Sequence, residues 1–161
     1  MIAPTLKLAC LADAPAIAAM SQQHIEFGLR PSWSPERVAG HVREPESIVL
    51  KGEMNGALIG FAIMQFGSES THLNLLAVEP AMRRLGVGRR LLRWLEGTAV
   101  GAGTFMVHLE LRAGNGEARA FYEALGYREN GRVCGYYQRV EDAIRMCRDL
   151  RVRHDAEQPR G

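Results

Sequence analysis

Lysine is nearly missing from this 161-residue chain: among its 20 basic side chains only Lys7 and Lys51 are not arginine. That bias suits phosphate binding and a GC-rich genome equally well. Long apolar runs are also missing. None approaches the roughly eighteen residues that a membrane span requires, so a soluble protein is expected. Cysteine is sparse. Cys10, Cys134 and Cys147 follow no metal-ligand spacing and are odd in number, which points away from a metal site and suits reduced thiols in a cytoplasm. A hairpin near residue 140 would let Cys134 and Cys147 face each other, but free thiols are the preferred reading. Neither an internal repeat nor a Pro/Ser-rich linker divides the chain. Residues 1–150 are therefore expected to form one domain, followed by a polar, disordered tail over 151–161.

What is present is core-forming material and an uneven charge. A hydrophobic content of 47% with a formal charge of +2 fits a compact domain. Residues 1–80 carry 5 basic and 8 acidic side chains, whereas residues 81–161 carry 15 and 10, so an anionic ligand would be drawn to the second half. The opening LKLACLADAPAIAAM is apolar enough to suggest a signal peptide. Asp13 interrupts it, however, and Lys7 stands where a lipoprotein signal needs an apolar residue before Cys10, so the segment is read as structure.

Periodicity divides the chain into alternating elements. TLKLAC reads as a strand, and LADAPAIAAMSQQHIEF as a helix whose apolar positions include Ile17, Ala18, Ile25 and Phe27. Ser34, Pro35 and Glu36 start a short second helix as N-cap, first position and first-turn acid. Two apolar runs flank Asn55-Gly56, the dipeptide of a tight hairpin. THLNLLAV forms a further strand, residues from about Gly86 to Val100 a helix, FMVHLELRA a strand, and EARAFYEALGY a helix stopped by Gly126. CGYYQRVEDAIRMCRDL supplies two last strands. This order predicts a mixed α/β sheet, antiparallel at its start, with helices on its faces.

RRLGVGRRLL follows a strand and opens a helix. The first amides of a helix lack intrahelical partners and sit at the positive end of the peptide dipoles, so they can seat a phosphate. Gly86 and Gly88 would let a pyrophosphate approach without meeting a β-carbon, and Arg83, Arg84 and Arg89 would add charge. A lone G-x-G serves a turn and helix packing just as readily. The spacing also differs from a dinucleotide fingerprint and lacks the GK[ST] of an NTPase loop. Nucleic-acid binding by the arginines is disfavoured because no aromatics interleave with them.

Downstream, LELRAGNGEARAFYEALGY places Asn115 and Tyr122 seven residues apart, on one helical face and about 10 Å apart along the axis. On the preceding strand Leu109 and Leu111 point one way, and His108, Glu110 and Arg112 the other, setting a carboxylate on a polar face next to that helix. Plainer roles exist for each: Asn115 as a cap, Tyr122 as core, Glu110 as the partner of Arg112.

Taken together, VEPAMRRLGVGRRLL and LELRAGNGEARAFYEALGY closely resemble the two core motifs of the GNAT superfamily of acetyl-CoA-dependent N-acetyltransferases, over about residues 71–147. The resemblance implies a mixed, mostly antiparallel central sheet flanked by about four helices. It also implies acetyl-CoA as co-substrate without a metal. Arg83, Gly86 and Gly88 would wrap the pyrophosphate, with main-chain amides of Arg84, Leu85, Gly86, Val87, Gly88 and Arg89 as donors. Leu76 to Val78 would pair with the pantetheine arm, Asn115 would bond the coenzyme near its thiol, and Tyr122 would act as the acid.

The chemistry needs a base as well. A peptide α-amine with a pKa of about 8, or a lysine at about 10.4, attacks a thioester only after losing a proton. The leaving thiol, at about 8.5, can take a hydrogen bond or a proton from a tyrosine at about 10. Glu110 is the first candidate base, with His72 and His108 as rivals.

Within the superfamily the chain is similar to bacterial ribosomal-protein alanine N-acetyltransferases of the RimI type, through HIEFGLRPSWSPERV, LNLLAV, LELRAGN and YYQRVEDAIRM. That implies a protein N-terminal α-amine as acceptor and Trp33, Tyr136 and Tyr137 as walls of a peptide groove, although these aromatics also suit core or loop packing. The chain differs in two places: only Gln138 to Val140 separates the tyrosine pair from Glu141-Asp142, and His72 replaces a common acidic residue. A free small amine as acceptor, and a non-catalytic acyl-CoA-binding domain, are the alternatives. Monomer and homodimer are both open.

Overall fold

The structure is a computed structural model that describes residues 3–152. The tail expected to be disordered falls outside the described residues from position 153 onward. Eleven principal elements follow in order: β1 (Thr5–Leu8), α1 (Ala14–His24), α2 (Pro35–Arg43), β2 (Ser47–Met54), β3 (Ala57–Phe66), β4 (Ser70–Val78), α3 (Val87–Gly101), β5 (Met106–Arg112), α4 (Gly116–Ala124), β6 (Arg128–Tyr137) and β7 (Glu141–Asp149). Short 3-10 turns at Leu11–Asp13 and Pro80–Leu85 precede α1 and α3. This is the order read from periodicity, and no helix among the described residues is long and apolar enough to cross a membrane.

Local chemistry explains the boundaries. The Ser34 side chain accepts the Arg37 amide at 3.1 Å with Pro35 at the first position, so α2 starts where the capping signal stands. Asn55 and Gly56 both take positive φ, 53° and 76°, as a two-residue hairpin turn requires. Helix α1 stops at His24, short of the Phe27 expected from periodicity. The Glu26 carboxylate accepts the Ser32 amide (3.1 Å) and hydroxyl, and Gly28 turns at φ 76°, so the chain folds back on itself instead of continuing the helix.

The strands lie in the order β1-β2-β3-β4-β5-β7-β6 and are antiparallel except for β4 against β5. Each face carries its own core. Helices α1 and α2 cover one face through Ile17, Ala18 and Val38 against Val49, Phe61, Ile63 and Leu75. On the other, α3 inserts Leu91, Leu92 and Leu95, all fully buried, against Leu50, Ala62, Met64 and Leu73, and α4 adds Tyr122. Their spacing is one helical stripe, and each buried leucine contributes roughly 1.5–3 kcal/mol.

Two irregularities prepare a site. In β4, Leu73 opposes Met64 and Leu75 opposes Ile63, leaving Asn74 as the extra residue of a bulge. The bulge reverses the side-chain alternation, so Leu73 faces α3 while Leu75 faces α1 and α2. In addition, β4 and β5 pair only from Ser70/Met106 to Leu73/Leu109 and then part, which opens the sheet along Asn74–Val78.

Candidate active site

A cleft of about 850 Å³ runs through this opening. One end is built from backbone. The Pro80–Leu85 turn finishes at Gly86, whose φ of 73° favours glycine, and α3 begins at Val87, one residue later than expected. The first intrahelical bond there is Arg90 N–H to Gly86 O at 3.0 Å, so the preceding amides have no acceptor within the helix. A β-carbon on Gly86 would meet nothing within 4 Å, which leaves those amides approachable. Arg83, Arg84 and Arg89 line this end. Arg83 reaches Glu117 at 3.4 Å in an exposed pair that contributes little.

Other members of the expected coenzyme set divide by role. Leu76 and Val78 line the cleft on the strand edge that β5 has left. The Val87 side chain is fully buried, so only its backbone can face a ligand, and the Leu85 side chain is exposed. Gly88 has a packing role besides the one expected of it. A β-carbon there would stand 3.2 Å from Phe121 Cζ and 3.5 Å from Val78 Cγ2, so the missing side chain serves close packing against α4, while Gly88 also lines the cleft beside Gly86 and Arg89. Asn115 caps α4, its Oδ1 accepting the Ala118 amide at 3.0 Å. Its Nδ2 remains as the group that can donate into the cleft it lines.

Tyr122 is 7% exposed, edge-on to Phe121 and Tyr127, and lines the same cleft. Burial pushes its phenol well above the ordinary value, keeping it a hydrogen-bond donor. Glu110 approaches from the other side. Leu109 and Leu111, its neighbours in β5, share the core with Tyr122, so the alternating Glu110 lies on the opposite face of the sheet from α4, not next to that helix as expected. The strands' parting lets both residues border one space. Glu110 is not the partner of Arg112, which instead binds Glu141 at 2.5 Å and the Phe27 carbonyl at 2.6 Å. It bonds His72 and lies 3.5 Å from Arg145. Burial raises the Glu110 carboxyl, but the His72 bond and the Arg145 charge outweigh it and hold the group below its usual range. His108 lines a separate small cavity and not this cleft.

The far end is formed by the loop between α1 and α2 and the hairpin of β6 and β7. Trp33 is only 6% exposed and packs in the α1/α2 core under the Arg37 guanidinium, 3.8 Å from the ring centroid, so it is core and cleft floor together. Tyr136 is 45% exposed and stands edge-on to Tyr137, and both line the cleft. Burial raises both phenols. The hairpin turns on two residues with positive φ, Gln138 at 55° and Arg139 at 62°. Gln138 ties it to the facing loop through reciprocal bonds with the Arg30 backbone, 2.9 and 2.7 Å. Its register sets Cys147 opposite Arg128, so Cys134 and Cys147 do not face each other.

Sequence reasoning missed Gln138, Arg145 and the bond between His72 and Glu110. The only signal for them was negative, in the short hairpin and the unusual His72. Chemically, the cleft joins an anion seat and a free strand edge to a carboxylate and a neutral phenol across one gap. That arrangement suits acyl transfer from an extended, phosphate-bearing thioester.

Comparison with known proteins agrees. Residues 17–127 match the Acetyltransferase (GNAT) family. The chain is 33% identical over 145 residues, 88% of its length and 95% of the relative's, to the [Ribosomal protein bS18]-alanine N-acetyltransferase of Salmonella typhimurium. The crystal structure of the ribosomal-protein-S18-alanine N-acetyltransferase from Escherichia coli superposes with a TM-score of 0.80 at 30% identity, covering 97% of this chain and 99% of that one. The fold alone is shared with the PaiA N-acetyltransferase of Thermoplasma acidophilum, solved with coenzyme A, at a TM-score of 0.78 and 16% identity over 92% of this chain and 99% of that one. The chain belongs to the GNAT acetyltransferase family and is an acetyl-CoA-dependent N-acetyltransferase.

Proposed function

We propose that the acceptor is the α-amine of a protein or peptide N-terminus. The observation that carries this reading is the Arg30–Gln138 clasp: it joins the two loops over the acceptor end, leaving a mouth walled by Tyr136 and Tyr137 that suits an extended chain end. The name of the Salmonella relative, whose substrate is a ribosomal-protein alanine, supports it. A cytoplasmic setting fits the free cysteines.

In this reading the amides at the start of α3 and Arg83, Arg84 and Arg89 hold the pyrophosphate, while the free edge of Leu76–Val78 holds the pantetheine arm. Asn115 Nδ2 donates to the coenzyme near its thiol end. Glu110 takes the proton of the amine, whose lone pair then forms the C–N bond as the C–S bond breaks. Tyr122 donates to the departing thiolate. Its raised pKa keeps it protonated for that task.

Calorimetric titration of acetyl-CoA, followed by thiol-release assays with an alanine-initiated peptide beside a panel of small amines, tests the reading. Binding with peptide turnover is expected. Turnover of small amines alone would replace the acceptor assignment, and the absence of coenzyme binding would overturn the site.

A further inference from the structure

Glu110 ends a hydrogen-bonded chain that crosses three strands, and Arg145 on a fourth flanks it. Asn74 Nδ2 donates to Gln65 Oε1 at 3.5 Å, Asn74 Oδ1 lies 2.7 Å from His72 Nδ1, His72 Nε2 bonds Glu110 Oε2, and Arg145 Nε stands 3.5 Å from Glu110 Oε1. Asn74 is the bulge residue of β4, with no register partner on β3, and its amide is oriented by the Gln65 contact so that its carbonyl oxygen meets the imidazole.

The hydrogen count follows from what each group can do. A carboxamide oxygen only accepts, so the hydrogen of this contact is on His72 Nδ1. A carboxylate also only accepts, so the Nε2–Oε2 contact needs a hydrogen too. As built, the pair therefore holds one proton between His72 and Glu110. When that proton leaves, Asn74 keeps the hydrogen on Nδ1, and the lone pair appears on Nε2, the nitrogen facing Glu110.

We propose that His72, its tautomer set by Asn74, is a positioning residue that joins Glu110 to form a single proton-accepting unit for the acceptor amine. The inference rests on reading Glu110 as the base. The amine proton passes to a Glu110 oxygen and is shared with His72 Nε2. The nitrogen lone pair closes the C–N bond, and the C–S electron pair leaves with sulfur toward Tyr122.

The energetics favour the unit over the carboxylate alone. Glu110 by itself, held low, is a weak base for an amine of pKa about 8. The Glu110 bond holds His72 above its ordinary 6.5 despite opposing burial, which brings the unit's proton affinity closer to the amine's. The charged or titratable groups facing it are Arg145 from β7, His108 at the register position beside His72 on β5, and Tyr136 and Tyr137 from β6. Both tyrosines stay neutral, and the Arg145 charge opposes protonation of His72. The unit is filled below the raised His72 pKa and ready above it, so activity should climb with pH above 6.5.

Heteronuclear NMR of the imidazole nitrogens in the full chain tests this without any acceptor, with His72 assigned by the signal lost in His72→Gln. His72 should titrate above 6.5 and carry its hydrogen on Nδ1 once neutral. Glu110→Gln should lower its proton affinity by about tenfold or more, and Asn74→Ala should let the other tautomer appear. With a peptide that is turned over, His72→Gln should move the rising limb of the kcat–pH profile to lower pH and reduce kcat at its plateau by about tenfold. An ordinary His72 titration unmoved by Glu110→Gln, a neutral Nε2–H form in the wild type, or an unshifted kcat limb would overturn the inference. Because the NMR result needs no turnover, failure of the pair and failure of the α-amine reading give different patterns.

Discussion

The two ends of the cleft are made of different materials. At the proposed coenzyme end the groups are largely backbone, with Arg83, Arg84, Arg89 and Asn115 beside them: amides at the start of α3, the edge of β4 left bare by β5, and a glycine at φ 73°. At the proposed acceptor end they are side chains brought from distant parts of the chain. His72 meets Glu110 across 38 positions, Arg112 holds Phe27 across 85, and Gln138 holds Arg30 across 108. Backbone amides can bind whatever presents phosphate, and they do not change when side chains vary. A mouth built from side chains can be re-cut by single substitutions, so in the proposed reading acceptor choice is the adjustable half of the enzyme.

Substitutions should therefore separate coenzyme affinity from turnover. The largest expected effect is that of Glu110→Gln, which removes the proton acceptor and should lower kcat by about a thousandfold, with acetyl-CoA affinity by calorimetry held. Tyr122→Phe keeps the ring packing and deletes the donor, so steady-state kcat should fall by about a hundredfold; an unchanged kcat removes it as the acid. Gly86→Val acts at the other end. A β-branched residue at φ 73° costs roughly 1–2 kcal/mol and shifts the first amides of α3, so calorimetry should show acetyl-CoA binding weakened about tenfold, and normal binding would refute the anion seat. The smallest effect belongs to Gln138→Ala, which opens an exposed clasp and should raise the peptide KM about threefold while coenzyme binding stays put; a larger change in coenzyme affinity than in peptide KM would dissolve the division between the ends.

The same division explains what could be read from the sequence. Element order, the Ser34 cap, the Asn55-Gly56 turn and the helix start at Gly86 are decided by residues within a few positions of one another, and all were legible. The packing constraint on Gly88 was not legible because it comes from Phe121, on another helix. The face of Glu110 was read correctly from alternation, but its position relative to α4 was not, since that depends on which side of the sheet the helix covers. The bulge at Asn74 and the His72–Glu110 bond were invisible, because strand register is set by the whole sheet and by no local signal.

The most direct test is to give the enzyme acetyl-CoA and a peptide that begins with alanine and contains one internal lysine, then locate the added acetyl group by tandem mass spectrometry. Acetylation confined to the α-amine is the predicted result. Acetylation of the lysine side chain, or an unmodified peptide beside an acetylated small amine, would contradict the account.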